Sequence, residues 1–244
     1  MRSETVKTLA AECGFELAGI APAEPLADFA RYQEWLAGGL AGELAYLAGR
    51  RGELRADPRW LLPAARSIIC VGKLYSAAGD PGGVARFARG EDYHRVVRRG
   101  LQRLRERLAL AAGVPFQSRI CVDTAPLLER SCARRAGLGW IGKNCCLIRA
   151  GQGSWFVLGE LLVSLELEPD SPVPDRCGAC TLCLEACPTR ALLPAERGSF
   201  LDARRCLSYW TIERRGAVPA ELRPLTRGWT YGCDICQEVC PWNH

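Results

Sequence analysis

Apolar positions follow two rhythms along the first 170 residues of the chain. Leucine and alanine recur at helical spacing from Ser3 to Cys13, and Gly14 stops the pattern as a helix C-terminus does. Phe15 to Ile20 then reads as a short strand, Leu26 to Leu36 as a second helix and Ala41 to Gly49 as a short third one. SIICVG, from Ser67 to Gly72, lacks polar alternation, the mark of a strand buried on both faces. Leu101, Leu104, Leu108 and Ala111 form the inward stripe of an amphipathic helix ending at Gly113. Arg119 to Pro126 predicts a strand ending in a turn, and Leu127 to Gly137 a glycine-capped helix. SWFVLGELLVSLELEP is strand-like and broken near Gly159. Helix and strand alternate, so the expected fold class is α/β (α+β), with an N-terminal sheet covered by helices. A proline-rich stretch at Pro169 to Pro174 marks a boundary between a domain of residues 1–170 and a second one, 171–244.

Cysteine organises the second unit. CGACTLCLEACP is C-x2-C-x2-C-x3-C-P, the spacing of bacterial two-cluster ferredoxins, and CDICQEVCP repeats its latter part. The turn that gathers three thiolates around one cubane points the next cysteine away, so the fourth cysteine of a run ligates the other cluster. Cys177, Cys180, Cys183 and Cys240 are therefore expected on one 4Fe-4S cluster, and Cys187, Cys206, Cys233 and Cys236 on a second, in a ferredoxin-like module. Pro188 and Pro241 end the turns by fixing φ and removing an N–H. Paired zinc sites would use C-x2-C knuckles set further apart. A disulfide framework is not expected without a secretory signal, in a chain of 244 residues that can bury a core unaided. Cys13, Cys70, Cys121, Cys132, Cys145 and Cys146 stand in apolar contexts, where free cysteine packs as a small hydrophobe.

With 48% hydrophobic and 24% charged residues the chain has the composition of an ordinary globular protein. Its apolar runs fall short of the ~20 residues a bilayer requires, so no membrane span is expected. The N-terminus has neither an apolar h-region nor a twin-arginine motif, which points to the cytoplasm. No coiled-coil pattern argues for assembly, and a monomer is expected. The formal net charge is +5, and Arg86 to Arg107 alone carries that excess, with eight arginines against Glu91, Asp92 and Glu106. Such a stripe is either a phosphate-contacting surface or a solvated helix face in a chain with only three lysines, Lys7, Lys73 and Lys143.

A ferredoxin needs roughly 55 to 80 residues, because its clusters staple it. The much longer N-terminal part therefore implies a redox partner held there, a cofactor or a substrate. In VDTAPLLER, Asp123 sits at a strand end, where sheets present catalytic groups, or else it or Thr124 caps the following helix. In AGLGWIGKNCC, Gly137, Gly139 and Gly142 surround Trp140, Lys143 and Asn144. The glycines would let backbone approach a flat ligand, or they mark a helix end and a tight turn. GLGWIG is not a dinucleotide fingerprint, since it follows a helix instead of opening one after a strand.

Taken together, RADPRWLLPAARSIICVG, ARGEDYH, VDTAPLLERSCARRAGLGWIGKN, CGACTLCLEACPT, RRCLSYWTIE and YGCDICQEVCPWN resemble the epoxyqueuosine reductases, the cobalamin-dependent family that finishes queuosine in tRNA. The resemblance covers nearly the whole chain in the family's order. It implies cobalamin in the N-terminal domain, Asp123 as proton donor, and corrinoid contacts from the stretches that hold Arg55, Tyr93, Trp140, Lys143, Asn144, Ser208 and Thr211. Electrons from an external donor such as a ferredoxin or flavodoxin would pass from the outer cluster to the inner one and yield the cob(I)alamin that reduces the epoxide. Asp123, kept protonated by burial against the corrin, would protonate the departing oxygen. The implied substrate is tRNA with a GUN anticodon, and the arginine stripe becomes a phosphate contact. Many relatives continue past CPWN, whereas this sequence stops at His244. Two rival readings are a corrinoid reductive dehalogenase, which would carry a twin-arginine leader and a tyrosine donor, and an electron carrier without catalysis of its own.

Overall fold

A computed structural model describes residues 1–75, 82–196 and 198–244. Its helices are α1 (Ser3–Glu12), α2 (Phe29–Ala37), α3 (Gly49–Glu53), α4 (Tyr93–Ala112), α5 (Glu129–Arg135), α6 (Leu182–Ala186) and α7 (Ile235–Glu238). Its strands are β1 (Leu17–Pro22), β2 (Ser67–Leu74), β3 (Ser118–Cys121), β4 (Trp140–Ile141), β5 (Leu147–Ile148), β6 (Phe156–Val163), β7 (Leu192–Pro194) and β8 (Ser199–Leu201).

The main sheet runs β1-β2-β6-β3 with every neighbour antiparallel, so the N-terminal part is α+β rather than a set of parallel crossovers. Helices cover both of its faces, and β2 lies inside it, which accounts for the unbroken apolar run from Ile68 to Val71. Side chains alternate along each strand. Ile20, Ile69, Leu161 and Val163 meet Val97, Leu101, Leu104 and Leu108 of α4, with Val6 and Ala10 of α1 beside them. Ile68, Cys70, Cys121 and Leu162 meet Cys132 and Ala133 of α5 on the other face.

Several local expectations shift. The α4 helix starts at Tyr93, because the Asp92 carboxylate accepts the His94 amide and caps it. Ala111 is exposed, not inward: the helix leaves the core in its last turn, where Leu110 is 85% exposed. Gly159 does not break β6. There α4 approaches so closely that a Cβ would overlap Val97 Cγ1, so glycine thins the strand to admit the helix. The third helix shrinks to a 3₁₀ turn, Ala45–Leu47, followed by α3. β3 ends at Cys121 and leaves 122–128 as a turn.

Residues 166–177 run without regular structure into the cysteine module, which is stitched to the rest of the chain. Trp35 Nε1 donates to the Leu201 carbonyl (2.6 Å), Arg31 to that of Ser199 (2.9 Å), and the Ala203 amide to Leu40 (2.8 Å). At the far end Asn243 Oδ1 accepts the Ser154 amide at 2.6 Å. Among the described residues no helix is long and apolar enough to cross a membrane.

Candidate active site and cysteine centres

The turn after β3 holds Asp123 at φ 53°, a left-handed conformation uncommon for a residue with a Cβ and here imposed by its neighbours. The Asp123 amide donates to Glu129 Oε1 (2.7 Å), and Arg51 Nη2 donates to the Thr124 carbonyl (2.7 Å). Asp123 is not a helix cap: the cap position of α5 is Leu128, and no side chain fills that role. Its carboxylate instead faces the start of α4. His94 Nε2 lies 3.2 Å from Asp123 Oδ2, and His94 Nδ1 lies 2.7 Å from Asp92 Oδ1. Desolvation pulls the His94 pKa down, but hydrogen bonds to the two carboxylates and their charge outweigh it and leave it raised. Tyr93 stacks on His94 (4.0 Å between ring centroids) and hydrogen-bonds Asp123. Burial first, then the Asp123 charge, holds its phenol in the neutral, donating form.

Tyr46 completes this face. Its hydroxyl donates to Glu213 Oε2 at 3.2 Å, and burial with the Glu213 and Asp123 charges pushes its pKa up to about 12. Glu213 closes the π-helical turn Tyr209–Glu213, so the segment following Cys206 reaches the Asp123 surroundings. The burial of Asp123 expected from the sequence is not supplied by the protein's own side chains, since its side chain is 50% exposed. Sequence reasoning brought Tyr93 to the site, touched His94 only as the last residue of the ARGEDYH stretch, and missed Tyr46, Arg51 and Glu129. The pair DYH and the glutamate six positions after Asp123 were the available signals.

Behind the turn lies a second acid. Glu160 of β6 is fully buried, and neither of its oxygens meets a donor. Its pKa is driven well up by desolvation and by Glu129, whose own carboxyl desolvation pushes up to about 7 against the Asp123 amide bond that lowers it.

The cysteines gather in two groups. Cys183 is faced by Cys177, Cys240 and Cys180, and Cys240 by Cys177 and Cys180. Cys236 is faced by Cys146, Cys206, Cys233 and Cys187. Desolvation raises the thiols of Cys206, Cys236 and Cys240, and pushes Cys183 up to about 11 and Cys233 up to about 12, so a metal's charge would be what draws off their protons. The Ala191 amide already points at Cys187 Sγ (3.3 Å). Among the described residues no three His, Cys, Asp or Glu stand close enough to share one metal ion. The quartets are thus sets of neighbours rather than mononuclear chelates. Cys13, Cys70, Cys121 and Cys132 are core residues as expected, whereas Cys145 and Cys146 are only partly buried and stand beside the second quartet.

The GLGWIGKN loop is braced against this module. Lys143 Nζ donates to the carbonyls of Gly178 (2.7 Å) and Cys180 (2.9 Å), and Asn144 Nδ2 to that of Cys236 (3.3 Å). Trp140 is 2% exposed and packs edge-on against Trp242 beside Cys177 and Cys240. Gly137, at φ 73°, ends α5, and Cβ atoms at Gly137 and Gly139 would run into the backbone of Ser171 and Ile148. The close approach these glycines allow is therefore to the chain itself. Ser208 hydrogen-bonds Cys206, and Thr211 spends its hydroxyl on the Leu207 carbonyl and the Gly232 amide. Arg55 differs: its guanidinium is buried, gives one bond to the Arg51 carbonyl (2.7 Å), and has no carboxylate partner among the described residues. Two cavities of about 500 and 560 Å³ flank Trp140, and neither is lined by Asp123 or by a cysteine.

The arginine stripe is mostly spent within the fold. Arg86 lies over the Trp155 ring, Arg89 and Arg103 donate to the Val84 and Cys13 carbonyls, and Arg95, Arg99 and Arg107 pair with Asp92, Glu91 and Glu12. Arg98 and Arg105 are exposed and make no such contact among the described residues.

Comparison with known proteins bears on both regions. Residues 55–124 match the family model described as Epoxyqueuosine reductase QueG, DUF1730, and residues 176–243 match the 4Fe-4S double cluster binding domain. The chain is 44% identical to the epoxyqueuosine reductase of Xanthomonas campestris pv. campestris, over 98% of this chain and 69% of that protein. It is similar to the crystal structure of an epoxyqueuosine reductase with an epoxyqueuosine-modified tRNA-Tyr stem loop, at TM-score 0.86 and 32% identity, over 98% of this chain and 64% of that one. It is also similar to the Bacillus subtilis enzyme captured with its aspartate catalytic loop swung out of the active site, at TM-score 0.84 and 31% identity, again over 98% and 64%. The chain thus spans about two thirds of the length of these proteins. A catabolic reductive dehalogenase shares the fold at TM-score 0.59, with only 16% identity.

Proposed function

Because the chain belongs to the epoxyqueuosine reductase family, we propose that it reduces epoxyqueuosine to queuosine at the wobble position of tRNA with a GUN anticodon. The observation that carries this reading is the Asp123 turn, fixed in a left-handed conformation beside Tyr93 and His94, on the same chain as two cysteine quartets. The solved relatives support it, one holding the modified tRNA stem loop and another named for its mobile catalytic aspartate loop.

Cys177, Cys180, Cys183 and Cys240 would hold one 4Fe-4S cluster and Cys187, Cys206, Cys233 and Cys236 the other, fed by an external donor such as a ferredoxin or flavodoxin. Cobalamin, when bound, would supply the strongly reducing centre. The residues around Asp123 fit it: the carboxylate is open to a ligand, and the unpaired buried guanidinium of Arg55 has donors for an amide or phosphate edge. Tyr93 orders the carboxylate, and His94, its pKa raised, is the neighbour able to return a proton to Asp123 Oδ2 after that atom has protonated the departing oxygen. Trp140, Lys143, Asn144, Ser208 and Thr211 serve chiefly to hold the cluster module at this face. We place the protein in the reducing cytoplasm, where free thiols persist, and expect it to act as a monomer. The dehalogenase reading rests on shared fold alone, and no tyrosine takes the place of Asp123 at the turn.

Anaerobic loading with iron, sulfide and cobalamin, then reaction with epoxyqueuosine-containing tRNA, tests the proposal by nucleoside mass spectrometry. Loss of one oxygen dependent on cobalamin and reductant is the expected result. Bound corrinoid with no conversion of that tRNA would overturn it.

A further inference from the structure

Glu160 sits in the middle of β6, opposite Cys70 of β2 and Cys121 of β3. Leu158 and Leu162, two positions to either side, share its face, so the carboxyl enters the apolar layer under α5. Around it stand the thiols of Cys70, Cys121 and Cys132 and the carboxyl of Glu129; among the described residues no donor reaches its oxygens and no cation's charge acts on it. A carboxylate in such a place is neutralised. As a carboxylic acid Glu160 gains one O–H to donate, and the acceptor beside it is Glu129. Glu129 in turn accepts the Asp123 amide at 2.7 Å. Arg130 of α5, the cation whose charge acts on Glu129, is committed to the Cys145 carbonyl, and on the far side Asp123 meets His94 and Tyr93.

We propose that Glu160 and Glu129 form a hydrogen-bonded acid–carboxylate pair that clamps the Asp123 turn, with the proton on Glu160 and the charge of Glu129 directed at the Asp123 amide. The proposal rests on Asp123 being the proton donor, and it makes the two glutamates positioning residues. It explains why a residue with a Cβ stays in a left-handed conformation at a strand end: an ionised acceptor makes the amide bond about twice as strong as a neutral one. The shifts agree in direction, since desolvation raises both carboxyls, and Glu160 is the one whose oxygens meet no donor. As pH falls through about 7, Glu129 takes up a proton and the clamp weakens.

The test uses the full chain loaded with clusters and cobalamin, by hydrogen exchange of the peptide carrying Asp123, read against a reference peptide, and by infrared absorption of carboxyl groups. In Glu129→Ala the turn should exchange about tenfold faster or more, and kcat should fall about tenfold with KM for tRNA unchanged. Glu129→Gln should do less, because its carbonyl oxygen still accepts. In Glu160→Gln, whose amide still donates, exchange should stay within about twofold of wild type. The wild-type protein should keep a carboxylic-acid C=O band above neutral pH that Glu160→Gln lacks. Absence of that band, or wild-type protection of the turn in Glu129→Ala, overturns the clamp. If Asp123→Asn keeps full turnover while Glu129→Ala still loosens the turn, the clamp stands and the donor role of Asp123 falls.

Discussion

In the cysteine module seven of the eight cluster cysteines lie on two short runs, 177–187 and 233–240, whereas the groups around Asp123 arrive from the 3₁₀ turn before α3, α3 itself, the start of α4, the turn after β3, α5 and β6. The first region writes its chemistry into spacing: three cysteines at intervals of three bring three thiols to one side of a turn. The second assembles only when the antiparallel sheet closes and brings residues as far apart in sequence as Tyr46 and Glu213, with His94, Asp123 and Glu160 between them, to one end. A local site tolerates distant changes but fails outright when one ligand is lost. A convergent site has no single indispensable contact except the group that reacts, and it is sensitive to how its supports are charged.

Losing a ligand should therefore have the largest effect. In Cys183→Ala or Cys236→Ala, iron and sulfide content should fall to about half, and turnover should vanish, because either cluster interrupts the path. The two variants should lose spectroscopically different clusters. Should both lose the same one, the assignment of Cys183 and Cys236 to different quartets is wrong. Asp123→Asn comes next. With clusters and cobalamin retained, single-turnover conversion should fall by about 10² to 10⁴, the range for removal of a positioned general acid. Full turnover would remove Asp123 from the chemistry.

The same contrast governs what could be read from the sequence. Cluster spacing, the buried β2 run and the helix stop at Gly137 were legible because each depends on neighbours within a few residues. Gly159 was read as a break because its reason, the approach of Val97 from α4, lies sixty residues away. Lys143 and Asn144 read as ligand-facing, since lysine and asparagine after glycines suit a cofactor edge as well as they suit the carbonyls of Gly178 and Cys236. Glu160 drew no attention, because an acid in SWFVLGELLVSL looks like the solvated side of a strand. Only the packing of α5 on one side of the sheet and of α4 on the other shows that both faces of β6 are covered.

Glu160 also sharpens the comparison through stability. Its pKa in the fold is raised above the usual 4.5, so the folded state holds a proton that the unfolded chain releases. Above that ordinary value wild-type stability falls as pH rises, by about 1.4 kcal/mol per pH unit until the raised pKa is passed. Glu160→Gln removes this dependence. Its advantage in unfolding temperature over wild type should grow from mildly acidic pH upward. An advantage that does not change with pH would mean that Glu160 is ionised in the fold.

The smallest effect belongs to the surface. Arg98 and Arg105 are seven residues apart on one face of α4, exposed, and unpaired among the described residues, while the other arginines of the stripe are engaged within the protein. A phosphate contact is worth most from a side chain that gives up no internal partner to make it. Reversing Arg98 to Glu should therefore weaken tRNA binding more than reversing Arg99, which already pairs with Glu91 at 2.6 Å. Arg98→Glu and Arg105→Glu should each lower the slope of binding against salt by about one, without changing discrimination among tRNAs. Binding titrations at several salt concentrations decide it. Equal affinities and slopes for wild type and both variants would make this face of α4 solvated surface and move the search for phosphate contacts to the cysteine module side.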